Sequence, residues 1–151
     1  MIAISLPPTQ RSNWNTISFT STLYLYPILD LLLAHIPSQW QAEVRLGLQE
    51  ALVNAAKHGN NLDPSKTVIV RYSTIKENYF WIISDEGNGF VPECNCEVEQ
   101  EELLPPDYAE NGRGLCILHQ VFDLVRWNRK GNQLSLCKQI AEQATQNPIV
   151  S

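Results

Sequence analysis

Positive charge is scarce in this 151-residue sequence: 11 Lys and Arg stand against 16 Asp and Glu, a formal net charge of -5. Gripping nucleic acid needs clustered Lys and Arg for the phosphates, so that class is excluded as the main task. Long apolar runs are missing as well. The most apolar one, "LYLYPILDLLLAHI" from Leu23 to Ile36, is too short to span a bilayer and is broken by Pro27 and Asp30. The opening "MIAISLPPTQ" holds two prolines and no positive charge, which is not a secretory leader, and a cytoplasmic location is expected. The four cysteines supply no second pair at zinc spacing. Cys94 and Cys96 flank one residue, while Cys116 and Cys137 fall in apolar patterns, so reduced thiols are expected. Finally, G-x-x-x-x-G-K-[ST] is absent, as are the H-R-D and D-F-G elements of ordinary protein kinases. Any bound nucleotide is therefore held in another way.

What is present is the composition of a globular chain, 44% hydrophobic and 18% charged, long enough to bury a core as one domain over residues 1–151. "WNTISFTST" alternates as a strand does, and Thr20, Ser21 and Thr22 read as a helix start. A first helix is expected over Leu23 to His35. A second runs from about Gln39 to His58, with Ser38 as N-cap, a buried stripe of Val44, Leu48, Leu52 and Ala55, and Gly59 as a left-handed terminator. "TVIVRYSTI" and "YFWIISDEG" form a hairpin around "KEN". The segment from Asn88 to Gly112 is acidic and proline-containing, without periodicity, and suits a functional lid at about residues 90–111. "GLCILHQVF" is helical again, and "DLVRWNRK" with "QLSLCKQI" makes a second hairpin around Lys130-Gly131-Asn132. Strands that come as hairpins with helices between them predict an α+β fold. It would be a two-layer sandwich whose sheet is mixed but mostly antiparallel, with the helices on one face.

Three short motifs carry chemistry. In "EALVNAAKHGN" the side chains of Glu50, Asn54 and His58 are four apart, hence on one helix face about 6 Å from one another along the axis. Taken alone, Glu50 and Asn54 read as a solvated face, for which Asn is a poor choice; alternatively, the Asn carbonyl is a hard oxygen ligand suited to Mg²⁺, and a nearby carboxylate can take a proton from a hydroxyl nucleophile. In "SDEGNGF", Asp85 leaves the end of an apolar strand, followed by Gly87 and Gly89. This is an ordinary turn signal, or glycines that let backbone approach a flat ligand while the Asp accepts from an exocyclic amine. In "ENGRGL", Gly112 and Gly114 flank Arg113 just before the expected helix: taken alone this is a simple loop–helix junction, or else an arrangement that aims amides and a helix N-terminus at an anion.

In order and spacing, these motifs resemble those of the ATPase fold shared by gyrase, heat-shock chaperones, histidine kinases and mismatch-repair proteins (the GHKL, or Bergerat, fold). Within it the chain most resembles the bacterial anti-sigma factor serine kinases, over roughly Gln39 to Ile140. The match runs through Glu50, Ala51, Asn54, Ala55 and His58, then Asp85, Gly87, Gly89 and Phe90, then Gly112, Gly114 and Leu115. The resemblance implies that ATP and Mg²⁺ are bound, Mg²⁺ by Asn54. It implies Glu50 as catalytic base, Asp85 as acceptor for the adenine amine with Gly87 and Gly89 beside it, and Gly112, Arg113, Gly114 and Leu115 around the phosphates. By similarity to the histidine-kinase branch, Lys57 and His58 touch nucleotide, although His58 reads equally as a favourable charge at a helix C-terminus.

The implied activity is phosphorylation of a serine on an anti-sigma-factor antagonist by a chain that also sequesters a sigma factor in a partner switch. A homodimer through the first strand and helix is a further implication. Where many relatives carry a threonine after the last glycine, this chain has Asn132 and Gln133 after Gly131. Its acidic lid, with Glu97, Glu99, Glu101 and Glu102, is expected to face solvent or a partner, because it would repel phosphates. The alternative is a nucleotide-sensing switch that binds its partners without transferring phosphate. A third reading, a detached histidine-kinase ATPase domain, is weakened by the apolar context of His35.

Overall fold

The computed structural model describes residues 13–89 and 106–140, and for residues 106–113 it describes the backbone. Strand β1 (Asn15–Thr20) leads into α1 (Tyr26–Leu32) and α2 (Ser38–Val53), and α2 continues into a π-helical turn, Asn54–Gly59. Strands β2 (Thr67–Ile75) and β3 (Asn78–Ser84) follow, then α3 (Pro106–Val121), β4 (Leu124–Trp127) and β5 (Gln133–Gln139). The sheet order is β1-β2-β3-β5-β4, with every neighbouring pair antiparallel.

Period-two alternation puts one apolar face of the sheet against the helices. Cross-strand register aligns Ile17, Val70, Ile83, Leu134 and Trp127 in one row, and Tyr72, Trp81, Leu136 and Val125 in the next. These rows join Leu29, Leu32, Val44, Leu48, Leu52, Leu115 and Leu118 in one core. The expected stripe of α2 is all inside, with Val44, Leu48 and Leu52 fully buried and Ala55 nearly so. Burial of each Leu or Val contributes about 1.5–3 kcal/mol, so this stripe is what fixes α2 on the sheet.

The antiparallel two-layer architecture expected from the sequence is observed. Several local expectations are corrected. Helix α1 starts at Tyr26, three residues late, because Pro27 fits the first turn, while Thr22 Oγ1 accepts from the Tyr24 amide at 3.0 Å outside the helix. Pro37, not Ser38, is the N-cap of α2, and no side chain caps it. Gly59 is not left-handed. Positive φ falls instead on Asn61 (55°) and Leu62 (54°). The β2–β3 connection tightens to Lys76-Glu77, both at positive φ, because the pairing of Ile75 with Asn78 leaves a two-residue loop that matches the sheet twist. Helix α3 begins at Pro106, so residues 106–112 are helical rather than loop. The remainder of the expected lid, with Phe90, Cys94, Cys96 and the four lid glutamates, lies outside the described residues. Cys137 is a buried free thiol, but Cys116 is disulfide-bonded, against the expectation of reduced thiols. No helix among the described residues is long and apolar enough to cross a membrane.

Candidate functional site

The polar stripe of α2 faces α3, not solvent. The two helices touch where Gly47 meets Val121, the last residue of α3, and the Phe122 ring just past it, since a Cβ on Gly47 would lie 2.8 Å from Val121 Cγ1 and 2.6 Å from that ring. One helical turn on, a cleft opens. It is lined by Glu50, Val53, Asn54 and His58 from α2 and its π-helical turn, and by Gly114, Leu115 and Leu118 from α3. Its cavity volume is about 30 Å³, room for a water molecule or an ion between the two helices. Five residues singled out from two separate motifs therefore meet in space: Glu50, Asn54, His58, Gly114 and Leu115.

The carboxamide of Asn54 is the polar anomaly of this cleft. Its Oδ1 is buried and has no hydrogen-bond partner, a state shared among the described residues only by Trp40 Nε1. Buried polar atoms are nearly always paired, so this oxygen keeps its full acceptor capacity for a group that enters the cleft. A hard carbonyl oxygen fits Mg²⁺, which takes one or two protein ligands and fills its shell with phosphate oxygens and water. The described residues contain no cluster of three His, Cys, Asp or Glu side chains that could cage a metal by themselves, so a cation here would depend on a second ligand such as a phosphate chain. The π-helical turn begins at Asn54 itself. Such wide turns are rare and concentrate at functional sites.

Asp85 stands at the other end of that turn. A Cβ on Gly59 would fall 2.4 Å from the Asp85 carboxyl, and one on Gly87 would fall 2.0 Å from the Gly59 carbonyl oxygen. Two chain segments thus meet without side chains between them, which brings the carboxylate against Gly59, the residue after His58, although Asp85 itself does not line the cleft. The Gly87 amide donates to Asp85 Oδ1 at 2.8 Å, and the Asp85 amide donates to the Asn132 carbonyl at 3.0 Å. Burial pushes the Asp85 carboxyl above its usual value, opposed by the Gly87 amide, Lys130 and Lys66. Gly89, at φ +85°, packs on the Lys130 carbonyl, the β4–β5 loop.

Not every expected residue reaches the cleft. Lys57 is on the π-helical turn but does not line it. Gly112 and Arg113 belong to α3, so their amides are committed to the helix instead of being aimed at an anion from a loop. That corrects the glycine-turn reading. Gly114 has a different use here: a Cβ on it would lie 2.9 Å from Glu50 Oε1, so the missing side chain leaves room for the carboxylate.

Asn60 was not anticipated. It is fully buried and bonds to Ser21 just past β1, to Thr67 at the start of β2 and to Glu86 just past β3. In the sequence it is one of two asparagines after a glycine, a pattern that reads as a plain turn.

Residues 30–138 match the histidine kinase-like ATPase domain. No curated protein matches the chain significantly. Among solved structures, the histidine kinase domain of the Erythrobacter litoralis EL346 blue-light activated histidine kinase is similar, with a TM-score of 0.50 and 18% identity over 81% of this chain. The longer EL346 kinase is similar as well, at 0.51 and 17% over 83%. The chain spans 62% and 43% of those two, and identity this low speaks for the fold alone. The family match over most of the sequence goes further: the chain belongs to the histidine kinase-like ATPase domain family.

Proposed function

We propose that this chain is an ATP-dependent serine kinase of the anti-sigma factor type, which phosphorylates an anti-sigma-factor antagonist and sequesters a sigma factor in a cytoplasmic partner switch. One observation carries the reading. The unpartnered Asn54 Oδ1 and the carboxylate of Glu50 share one cleft, four residues apart, with α3 shaped by Gly114 to admit the acid. The family membership supports ATP as the ligand, and the motif order that resembles the serine kinases supports the acceptor.

In this reading Asn54 holds Mg²⁺, whose charge offsets that of the phosphates when it is bound. Asp85 accepts from the adenine amine at the Gly59–Gly87 corner, and His58 and Leu115 line the space between. Glu50 takes the proton of the incoming serine hydroxyl. That oxygen bonds to the γ-phosphorus, the bond from γ-phosphorus to the β,γ-bridging oxygen breaks, and ADP leaves. Phosphoryl transfer asks of a protein chiefly positioning and electrostatics, and the rigid α2 seat supplies the positioning. A homodimer through β1 and α1 is part of the same proposal.

A non-catalytic switch would bind the same ligand without needing Glu50. Incubating the protein with γ-labelled ATP and candidate antagonists separates the two. The kinase reading expects label on a serine of the antagonist, lost by a factor of about 10² or more in Glu50→Ala while Mg-ATP still binds. Transfer undiminished in Glu50→Ala contradicts the base assignment, and binding without transfer to any antagonist favours the silent switch.

A further inference from the structure

Asn60 follows the helical segment in the run "HGNNLD" yet has no exposed surface. Both donors and the oxygen of its carboxamide are engaged across the fold. Nδ2 donates to Ser21 Oγ at 2.9 Å, just past β1, and to the Thr67 carbonyl at 2.9 Å, where β2 starts. Oδ1 accepts from the Glu86 amide at 2.7 Å, just past β3. Its own backbone amide donates to the Ala55 carbonyl at 2.9 Å, an i→i+5 bond that closes the π-helical turn. One residue thus ties the helical segment bearing Asn54 and His58 to the strand exit bearing Asp85.

The segment it holds has little other freedom. Glu86 is gripped from both ends, since its Oε2 accepts from the Thr67 amide at 2.6 Å and the Thr67 hydroxyl at 2.9 Å. On the other side, the Asp85 amide is fixed on Asn132. The Asp85 carboxylate therefore leaves a backbone pinned at its own amide and at the next. Asn60 does not line the cleft, and its side-chain hydrogen bonds go to Ser21, Thr67 and Glu86, not to that carboxylate. It acts through the peptide between them.

We propose that Asn60 is a positioning residue that aims Asp85 and thereby sets the preference for a purine bearing a 6-amino group. The inference rests on the reading that this site binds an adenine nucleotide. A purely structural Asn60 would weaken every ligand alike when lost. A positioning Asn60 would weaken only those that use Asp85.

The test is calorimetric titration of the full chain with Mg-ATP, with Mg-ITP (whose base has an oxo group in place of the 6-amine) and with magnesium tripolyphosphate, at a temperature where circular dichroism shows each variant folded. Wild type should favour ATP over ITP by about tenfold or more, the size of one buried hydrogen bond left unmade. Asn60→Ala removes the acceptor facing the Glu86 amide, and its preference should fall to about twofold or less with tripolyphosphate binding unchanged. Asn60→Asp keeps that acceptor while setting an oxygen against the Thr67 carbonyl. It should lose stability yet retain the preference to within about threefold. A wild-type preference retained in Asn60→Ala, or lost equally in both variants, overturns the proposal. Wild type that binds tripolyphosphate and ATP but does not discriminate against ITP also overturns it. Failure of wild type to bind Mg-ATP at all would instead sink the nucleotide reading beneath it. Hydrogen exchange on wild type needs no variant: the Glu86 amide should be protected like the Ile83 amide inside β3, and rapid, loop-like exchange would contradict the pin.

Discussion

Gly114 leaves the space into which Glu50 reaches: a Cβ there would stand 2.9 Å from Glu50 Oε1, tighter than such contacts tolerate. Gly114 is inside α3, where glycine is less favourable than alanine by about 1 kcal/mol. The sequence has kept the weaker helix former at the point where it faces the acid. Gly114→Ala should therefore leave the urea midpoint unchanged or raised, because the helix gains and the flexible acid can swing aside. The same displacement should slow phosphoryl transfer by about tenfold, since sub-ångström misplacement of a catalytic group is expensive. Parallel urea melts and single-turnover transfer assays check this opposition, and a variant that is less stable but fully active would contradict it.

The adjacent carboxyls Asp85 and Glu86 should give opposite pH signatures. Burial raises the Asp85 pKa above its ordinary 3.8. Between those two values the native state holds more protons than the unfolded state, so the contribution of Asp85 to stability declines as pH rises through that window. Bonds from the Thr67 amide and then the Thr67 hydroxyl lower the Glu86 pKa below 4.5. Its contribution is present above that value and is lost as pH falls through the depressed one. Urea denaturation from about pH 3 to pH 7 should thus show Asp85→Asn stabilising at neutral pH, with the gain vanishing in acid. Glu86→Gln should destabilise at neutral pH and converge on wild type in acid. Parallel curves for either variant would contradict the assignment.

At the Gly59–Gly87 corner, main chain lies against main chain. A Cβ on Gly87 would sit 2.0 Å from the Gly59 carbonyl oxygen, and backbone cannot step aside as a side-chain tip can. Gly87→Ala should cost about 1–3 kcal/mol of stability, the range for overpacking a tight contact. It should also weaken Mg-ATP binding more than magnesium tripolyphosphate binding. Thermal melts with paired titrations measure both, and an Ala variant as stable as wild type would contradict the close approach.

Much of this was legible because hydrophobic periodicity and fold agree. The stripe of Val44, Leu48, Leu52 and Ala55, the two hairpins and the antiparallel order all follow from alternation and turn signals in the sequence. The polar stripe of Glu50, Asn54 and His58 was legible for the same reason, since four-residue spacing survives the widening of the helix into a π turn. What was not legible depends on contacts between distant segments. Gly59 looks like a helix terminator, but it is small because Asp85 arrives from β3. Gly112 and Gly114 look like a loop, but the backbone takes them into α3 from Pro106 onward. Asn60 looks like a turn residue, and its burial arises only when β1, β2 and the exit of β3 converge on it.

The claim on which the account rests is that the buried Asn54 Oδ1 is orphaned because its partner is a magnesium ion carried by ATP. Isothermal titration of wild type and Asn54→Ala with ATP, with Mg²⁺ and with EDTA in its place, tests this most directly. The account predicts that wild type binds ATP, that EDTA weakens binding by about tenfold or more, and that Asn54→Ala abolishes this dependence on Mg²⁺. No binding by folded wild type, or an equal response to Mg²⁺ in both proteins, would contradict it.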